Sequence, residues 1–195
     1  MDITDIRELH FITDIKNVPA ILRDGILSHN KASKIAHHSI AEYGVQERRK
    51  NKKIPGTTKY LHDYANLYFD AHNPMLSARR DMNDKICVLR LKSDILSLDD
   101  IIVTDQNASR DCWFKPVSVG LPLLNKNEVF AEFWVNQSDP REEYRLKGIK
   151  CAEVLVPVCV KPDYIFAAFV ANETALNRFK QISSLPVAIN ESMFF

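Results

Sequence analysis

The residues of this chain best suited to chemistry stand where a plain core element has no use for them. Glu153 interrupts KCAEVLVP, residues 150–157, an otherwise apolar strand pattern. A carboxylate there either points to water from the outer face of a sheet or is held at a cleft, where it can take a proton or stabilise positive charge. QERRK puts Arg48 and Arg49 in succession, about 100° apart on any helix, so that one can face a site while the other faces solvent. The guanidinium fork matches phosphate oxygens, and a solvated charged face is the ordinary alternative. A third concentration, LHDYANLYFDAHNPML at 61–76, sets His62, Tyr64, Tyr68 and His72 around a strand and the start of a helix at Pro74. Tyr64 and Tyr68 share parity and therefore one strand face, serving as a platform for a flat heterocycle or as an aromatic core stripe.

These side chains need elements to hold them. Strand composition occurs at 7–13, 65–71, 85–91, 101–104, 150–157, 164–170 and 185–189. Helical spacing predicts helices over 17–27, 74–81, 128–135 and 172–183, the first with Asn17 as N-cap and Pro19 in its first turn. The balance is α+β. Between them, residues 39–56 run from a marginal helix into the basic cluster Arg48, Arg49, Lys50, Lys52 and Lys53, closed by Pro55 and Gly56. The polar stretch 136–149 opens with turn residues and leads into the strand of Glu153, and it reads as a mobile functional loop or a short exposed helix.

At 195 residues with 46% hydrophobic side chains, the chain fits a single domain over 1–195. Lys and Arg (26) balance Asp and Glu (25), so contact with a polyanion must come from local clustering rather than overall charge. No apolar run has the roughly 20 residues of a membrane span, and MDITDIRELH lacks the features of a signal peptide, so a cytosolic, membrane-free protein is expected. Cys87, Cys112, Cys151 and Cys159 have no metal-ligand spacing and read as reduced thiols, with no metal site expected.

The order and wording of several motifs resemble a known family. SIAEYGVQERRKNKKIP (39–55), LHDYANLYFDAHNPML (61–76), VTDQNAS (103–109), CAEVLVP (151–157) and PDYI (162–165) are similar to the DarT family of DNA ADP-ribosyltransferase toxins. That resemblance implies an ADP-ribosyltransferase fold, a split and strongly bent β-sheet core with flanking helices whose cleft binds NAD+. It implies transfer of ADP-ribose from NAD+ to a base in single-stranded DNA, thymine first and guanine in another branch, and a DarG-type macrodomain antitoxin as partner.

On matching positions the resemblance makes Glu153 and Arg49 the catalytic pair. His10, Thr13, Tyr68 and Asn107 become NAD+ contacts, although anchoring on Thr13 puts Phe11 where relatives carry histidine. The loop before the glutamate strand implies Arg141, Arg145 and Lys147 as DNA contacts, beside Arg48, Lys50, Lys52 and Lys53 of the basic cluster. Chemistry suits the pair: breaking the nicotinamide–ribose bond develops positive charge that a carboxylate stabilises, and a thymine imide must lose its proton to attack. Two rivals remain at this level, a transferase acting on RNA or protein and a catalytically silent nucleic-acid-binding module on the same fold.

Overall fold

The computed structural model describes residues 1–195. Segments rich in β-branched, aromatic and leucine side chains form strands β1 (Glu8–Asp14), β2 (Ile26–Leu27), β3 (Tyr64–Tyr68), β4 (Ile86–Lys92), β5 (Ile102–Thr104), β6 (Phe114–Pro116), β7 (Glu153–Pro157), β8 (Cys159–Val160), β9 (Ile165–Val170) and β10 (Val187–Ile189). Helices are α1 (Val18–Asp24), α2 (His29–Ala32), α3 (Tyr43–Lys50), α4 (Pro74–Ser77), α5 (Val117–Gly120), α6 (Lys126–Val129), α7 (Pro140–Ile149) and α8 (Glu173–Ile182).

An eight-stranded sheet runs in the order β10-β9-β4-β1-β3-β7-β5-β6, and β2 pairs with β8 in a separate ribbon. Its pairings are antiparallel apart from β9 with β10. The sheet divides at its middle. β1 follows β4 from Glu8 opposite Lys92 to Asp14 opposite Ile86, and β3 follows β7 from Tyr64 opposite Pro157 to Tyr68 opposite Glu153. Across the seam, β1 and β3 share a single register position, His10 opposite Tyr68. Residues directly opposite one another point to the same face, so His10, Tyr68 and Glu153 form a row across three strands.

The two faces differ in what covers them. On one, Leu9, Leu67, Leu89, Leu91, Val154 and Val156 build the main core with Val18 of α1 and Ala175 and Phe179 of α8. On the other, Ile12, Tyr68, Ile86, Val88 and Cys151 join Leu76 of α4 in a smaller cluster that floors the cleft.

Several elements depart from the spacing in the sequence. The helix expected over 17–27 stops at Asp24, because Gly25 adopts φ 88 and turns the chain into β2. That over 74–81 is one turn of α4 followed by a 3-10 turn at Arg80–Met82. Over 128–135 no helix forms beyond the end of α6; the chain extends so that Trp134 is buried beside His72 while Phe133 and Val135 face outward. Within the stretch 136–149 the chain forms α7 from Pro140 onward, capped by Asp139, whose carboxylate accepts from the backbone amides of Arg141 and Glu142. No helix is long and apolar enough to cross a membrane.

Candidate active site

α3 is a polar helix whose one buried residue is Arg49. Nothing apolar draws such a helix inward, so specific polar contacts must hold it. One turn before Arg49, Gln46 Oε1 lies 3.1 Å from His62 Nε2, and the His62 ring stacks on His29 with centroids 3.9 Å apart. At its C-terminal end, Lys52 Nζ donates to the carbonyl of Arg110.

Arg49 reaches across to β7. Its Nη1 donates to Glu153 Oε1 at 2.8 Å and its Nη2 to Oε2 at 2.9 Å, a two-pronged salt bridge with side-chain exposures of 6% and 0%. Glu153 Oε1 also accepts from the Ala108 amide at 2.8 Å, and the Glu153 amide donates to Thr104 Oγ1 at 3.1 Å. A buried charge pair is held best when further hydrogen bonds support it, and here the Ala108 amide adds one to the carboxylate. Burial works against the Arg49 cation, but the adjoining carboxylate outweighs it and raises the guanidinium pKa further. Burial first, and the charge of Glu153 second, push the Tyr68 phenol well above its ordinary range.

In front of the pair opens a cleft of about 720 Å³, lined from β1, β3, α3, α4, α7 and the turn 107–110. It lies over the seam, with Thr13 on one side and Asn66 and Tyr68 on the other. Arg49 lines it, and Glu153 stands behind Arg49, fully buried. Cys151 also lines the cleft, and burial lifts its thiol to about 12, leaving it an inert neutral wall.

The other sequence-derived residues divide. Thr13 lines the cleft with its hydroxyl accepting from Asn17 Nδ2 at 3.1 Å. Asn107 lines it too, but its carboxamide oxygen accepts from the Ser109 amide and so shapes the turn. His10 shares the row of Tyr68 yet does not reach the cleft: Nε2 lies 2.9 Å from Glu8 Oε1, and Nδ1 accepts from the Ala71 amide at 3.2 Å. Phe11, next to it, does line the cleft. His10 is thus a buried brace at the seam, on the face of Tyr68 but with both ring nitrogens engaged by Glu8 and Ala71.

Among the cations, Arg48 is exposed at the cleft, while Lys50, Lys53 and Arg141 are exposed outside it. Arg145 is held by Glu142, with Nε to Oε2 at 2.8 Å, and by Glu128. Lys147 lines the cleft with its ammonium 2.6 Å from Glu143 Oε1. Acidic residues of α7 and α6 therefore neutralise both, a pairing that helical i,i+3 and i,i+4 spacing makes possible.

Other residues of the site carried no sequence signal. The Ala108 amide is a backbone group, so no residue type marks it. Arg110 lines the cleft, stacks its guanidinium 3.9 Å from the Tyr144 ring centroid and donates to the Tyr144 carbonyl at 2.6 Å. The fully buried Lys150 side chain binds Asp70 at 2.5 Å, tying the chain just before β7 to the chain just after β3.

Residues 10–195 match the family model described as "DarT: ssDNA thymidine ADP-ribosyltransferase, DarT". A "DNA ADP-ribosyl transferase-DNA ADP-ribosyl glycohydrolase fusion protein" of Thermosipho africanus is 33% identical over 207 residues, a match spanning 97% of this chain and 50% of the fusion. The chain therefore covers about half the length of that relative. Among solved structures, Thermosipho africanus DarTG in complex with ADP-ribose superposes with a TM-score of 0.83 at 32% identity, over 97% of this chain and 51% of the other. Thermus sp. 2.9 DarT in complex with ADP-ribosylated ssDNA gives 0.80 at 25% identity, over 98% and 97%.

Proposed function

Because the chain belongs to the DarT family of single-stranded-DNA ADP-ribosyltransferases, we propose that it transfers ADP-ribose from NAD+ to a DNA base, thymine first, with Glu153 and Arg49 as its catalytic pair. The observation that carries this reading is the buried two-pronged Arg49–Glu153 bridge at the floor of a cleft over the sheet seam.

The residues suit the reaction. The cleft volume lies within the roughly 300–1,000 Å³ of small-molecule sites, and Tyr68 offers a flat face at its floor for a planar heterocycle. Arg49 presents a fixed cation to the incoming groups, with the Glu153 carboxylate directly behind it. The bond that breaks joins ribose C1′ to the nicotinamide nitrogen. Nicotinamide leaves neutral, carrying the bonding pair, and the developing ribosyl cation is stabilised by the carboxylate. The bond that forms joins the base nitrogen to C1′, and the imide proton departs to the Arg49–Glu153 pair and then to water. A single-stranded acceptor needs little unstacking to enter such a site.

As a member of this family, the chain acts in our reading as the toxin of a pair. Its antagonist is an ADP-ribosyl glycohydrolase of the kind that the name of the Thermosipho fusion joins to a transferase. We place the reaction in the cytosol, where DNA and NAD+ meet in a bacterial cell.

The test is the intact mass of short single-stranded oligonucleotides, each with thymine or guanine as its one candidate base, after incubation with the protein and NAD+. One added ADP-ribose on the thymine oligonucleotide is expected, with at least a thousandfold loss in Glu153→Gln, in the range seen when charge-stabilising groups are removed. Modification of RNA or of protein instead would move the acceptor assignment. Intact oligonucleotides and intact NAD+ together would sink the enzyme reading.

A further inference from the structure

We propose that Lys52 is a positioning residue that sets how Arg49 meets Glu153, an inference resting on the transferase reading above. In the sequence, Lys52 belongs to a basic run that suggests phosphate contacts. In the fold it is half-buried and its ammonium is engaged inside the molecule. Nζ donates to the Arg110 carbonyl, lies 4.0 Å from Cys112 Sγ and sits 5.2 Å from the centroid of the Phe114 ring. Lys50 and Lys53, by contrast, are exposed.

What Lys52 joins gives the contact its meaning. Its own amide donates to the Arg49 carbonyl at 3.2 Å, so the chain turn that follows α3 keeps Lys52 beside Arg49. Its carbonyl accepts from the Leu61 amide at 2.8 Å, which fixes its backbone to the segment entering β3. On the far side, the Arg110 amide donates to the Asn107 carbonyl at 2.9 Å, and the next residue, Ala108, donates its amide to Glu153 Oε1. A closed ring results, from Arg49 to Glu153, to Ala108, along the turn to Arg110, to Lys52 and back to Arg49. Glu153 Oε1 receives its two hydrogen bonds, each 2.8 Å long, from opposite arms of this ring. Lys52, just past the end of α3, ties that end to the Arg110 carbonyl of the turn, so without its ammonium the two arms of the ring keep only their shared contact on Glu153.

The experiment compares Lys52→Met and Lys52→Arg in the full chain, measuring ADP-ribose transfer to a short oligonucleotide against substrate concentration and salt. Lys52→Met is expected to lower kcat about tenfold to a hundredfold, as misplacement of reacting groups by about 1 Å does. Its oligonucleotide KM and the salt dependence of kcat/KM stay as in the parent, and Lys52→Arg, which reaches the same carbonyl, recovers most of kcat. A phosphate contact gives the opposite pattern: KM rises, kcat holds, and the salt slope falls by about one unit. That pattern overturns the inference, as does full activity of Lys52→Met. The Arg49 Nε–H resonance reads the geometry without turnover: a shift or broadening in Lys52→Met is expected, and an unchanged signal overturns the inference even if the parent modifies no oligonucleotide. Parent protein that modifies no acceptor tells against the transferase reading instead. Should Lys52→Met not fold, Lys52→Gln carries the same comparison.

Discussion

Single side chains in this molecule are used twice over, and the charged ones inside it cannot be removed singly. Lys150 has no exposed side-chain surface; it meets Asp70 at 2.5 Å, donates to the Val129 carbonyl at 3.1 Å and lies 6.0 Å from the Trp134 ring centroid. Removing one partner of a buried pair leaves the other desolvated, which costs about 3–5 kcal/mol. Lys150→Met is therefore expected to lower stability by about 3 kcal/mol in urea unfolding at neutral pH, at the low end because Asp70 keeps 18% of its side-chain surface. Adding Asp70→Leu should restore part of the loss, and a loss within about 0.5 kcal/mol would refute the account. At this scale the sequence was only partly legible. Glu153 stood out because it broke an apolar strand pattern, and Arg49 was picked from its basic run by the family resemblance, whereas nothing in its local sequence marked Lys150. Its burial depends on Asp70, eighty residues away, and no local window contains that pairing.

Among the elements, α7 and the turn before β6 work as one piece. The Asn107 amide donates to the Gly148 carbonyl at 3.0 Å, and Arg110 grips Tyr144. Gly148 leaves no space: a Cβ there would press on Gln106 Oε1 and lie 2.6 Å from Arg110 Nη1. Both neighbours are ends of flexible side chains, so Gly148→Ala is expected to fold, since the helix propensity gained, up to about 1 kcal/mol, offsets the crowding. Transfer to DNA should nevertheless fall, because Arg110 loses its place. Melting temperature and transfer rate, measured side by side, check this; an unchanged rate would mean that the turn tolerates the shift. At Gly25 the outcome differs. A Cβ would press against the Val160 carbonyl and lie 2.6 Å from Cys159 Sγ, in a backbone conformation (φ 88) that L side chains rarely adopt. Gly25→Ala should cost at least about 1–2 kcal/mol in the same urea assay, and a neutral result would show that the α1–β2 corner can relax. Sequence spacing predicted the long strands well because their patterns are strong. It overextended α1 and α4 and invented a helix at 128–135, because helical spacing says nothing about where a buried tryptophan or a left-handed glycine will stop it.

For the molecule as a whole, acid sensitivity follows from groups held away from their ordinary charge states. Burial, helped by the charges of His29 and Arg49, pushes His62 down to about 4, so the folded protein keeps it neutral while the unfolded chain protonates it near 6.5. Stability from this source is complete above pH 6.5 and declines as pH falls toward 4. Burial alone would raise Glu8, but its bonds to His10 and Arg90 outweigh that and hold it at about 2, so its contribution is lost as pH falls below about 4.3. Unfolding free energy measured from pH 8 to pH 3 should decline in these two stages. His62→Phe should flatten the first stage, and an unaltered slope there would assign it to other groups. The α+β class was legible from pattern, because it follows from summed local preferences. The division of the sheet was legible only through the family resemblance, since it is a property of how two strands meet. That division also has a mechanical meaning. Each half of the sheet is a plate with its own continuous ladder, and His10 opposite Tyr68 is the one strand pairing that joins the ladders. Rocking one plate on the other would change the width of the cleft mouth without breaking a ladder bond in either, and Glu153, on β7, would ride with the β3 plate while Arg49 reaches it from α3.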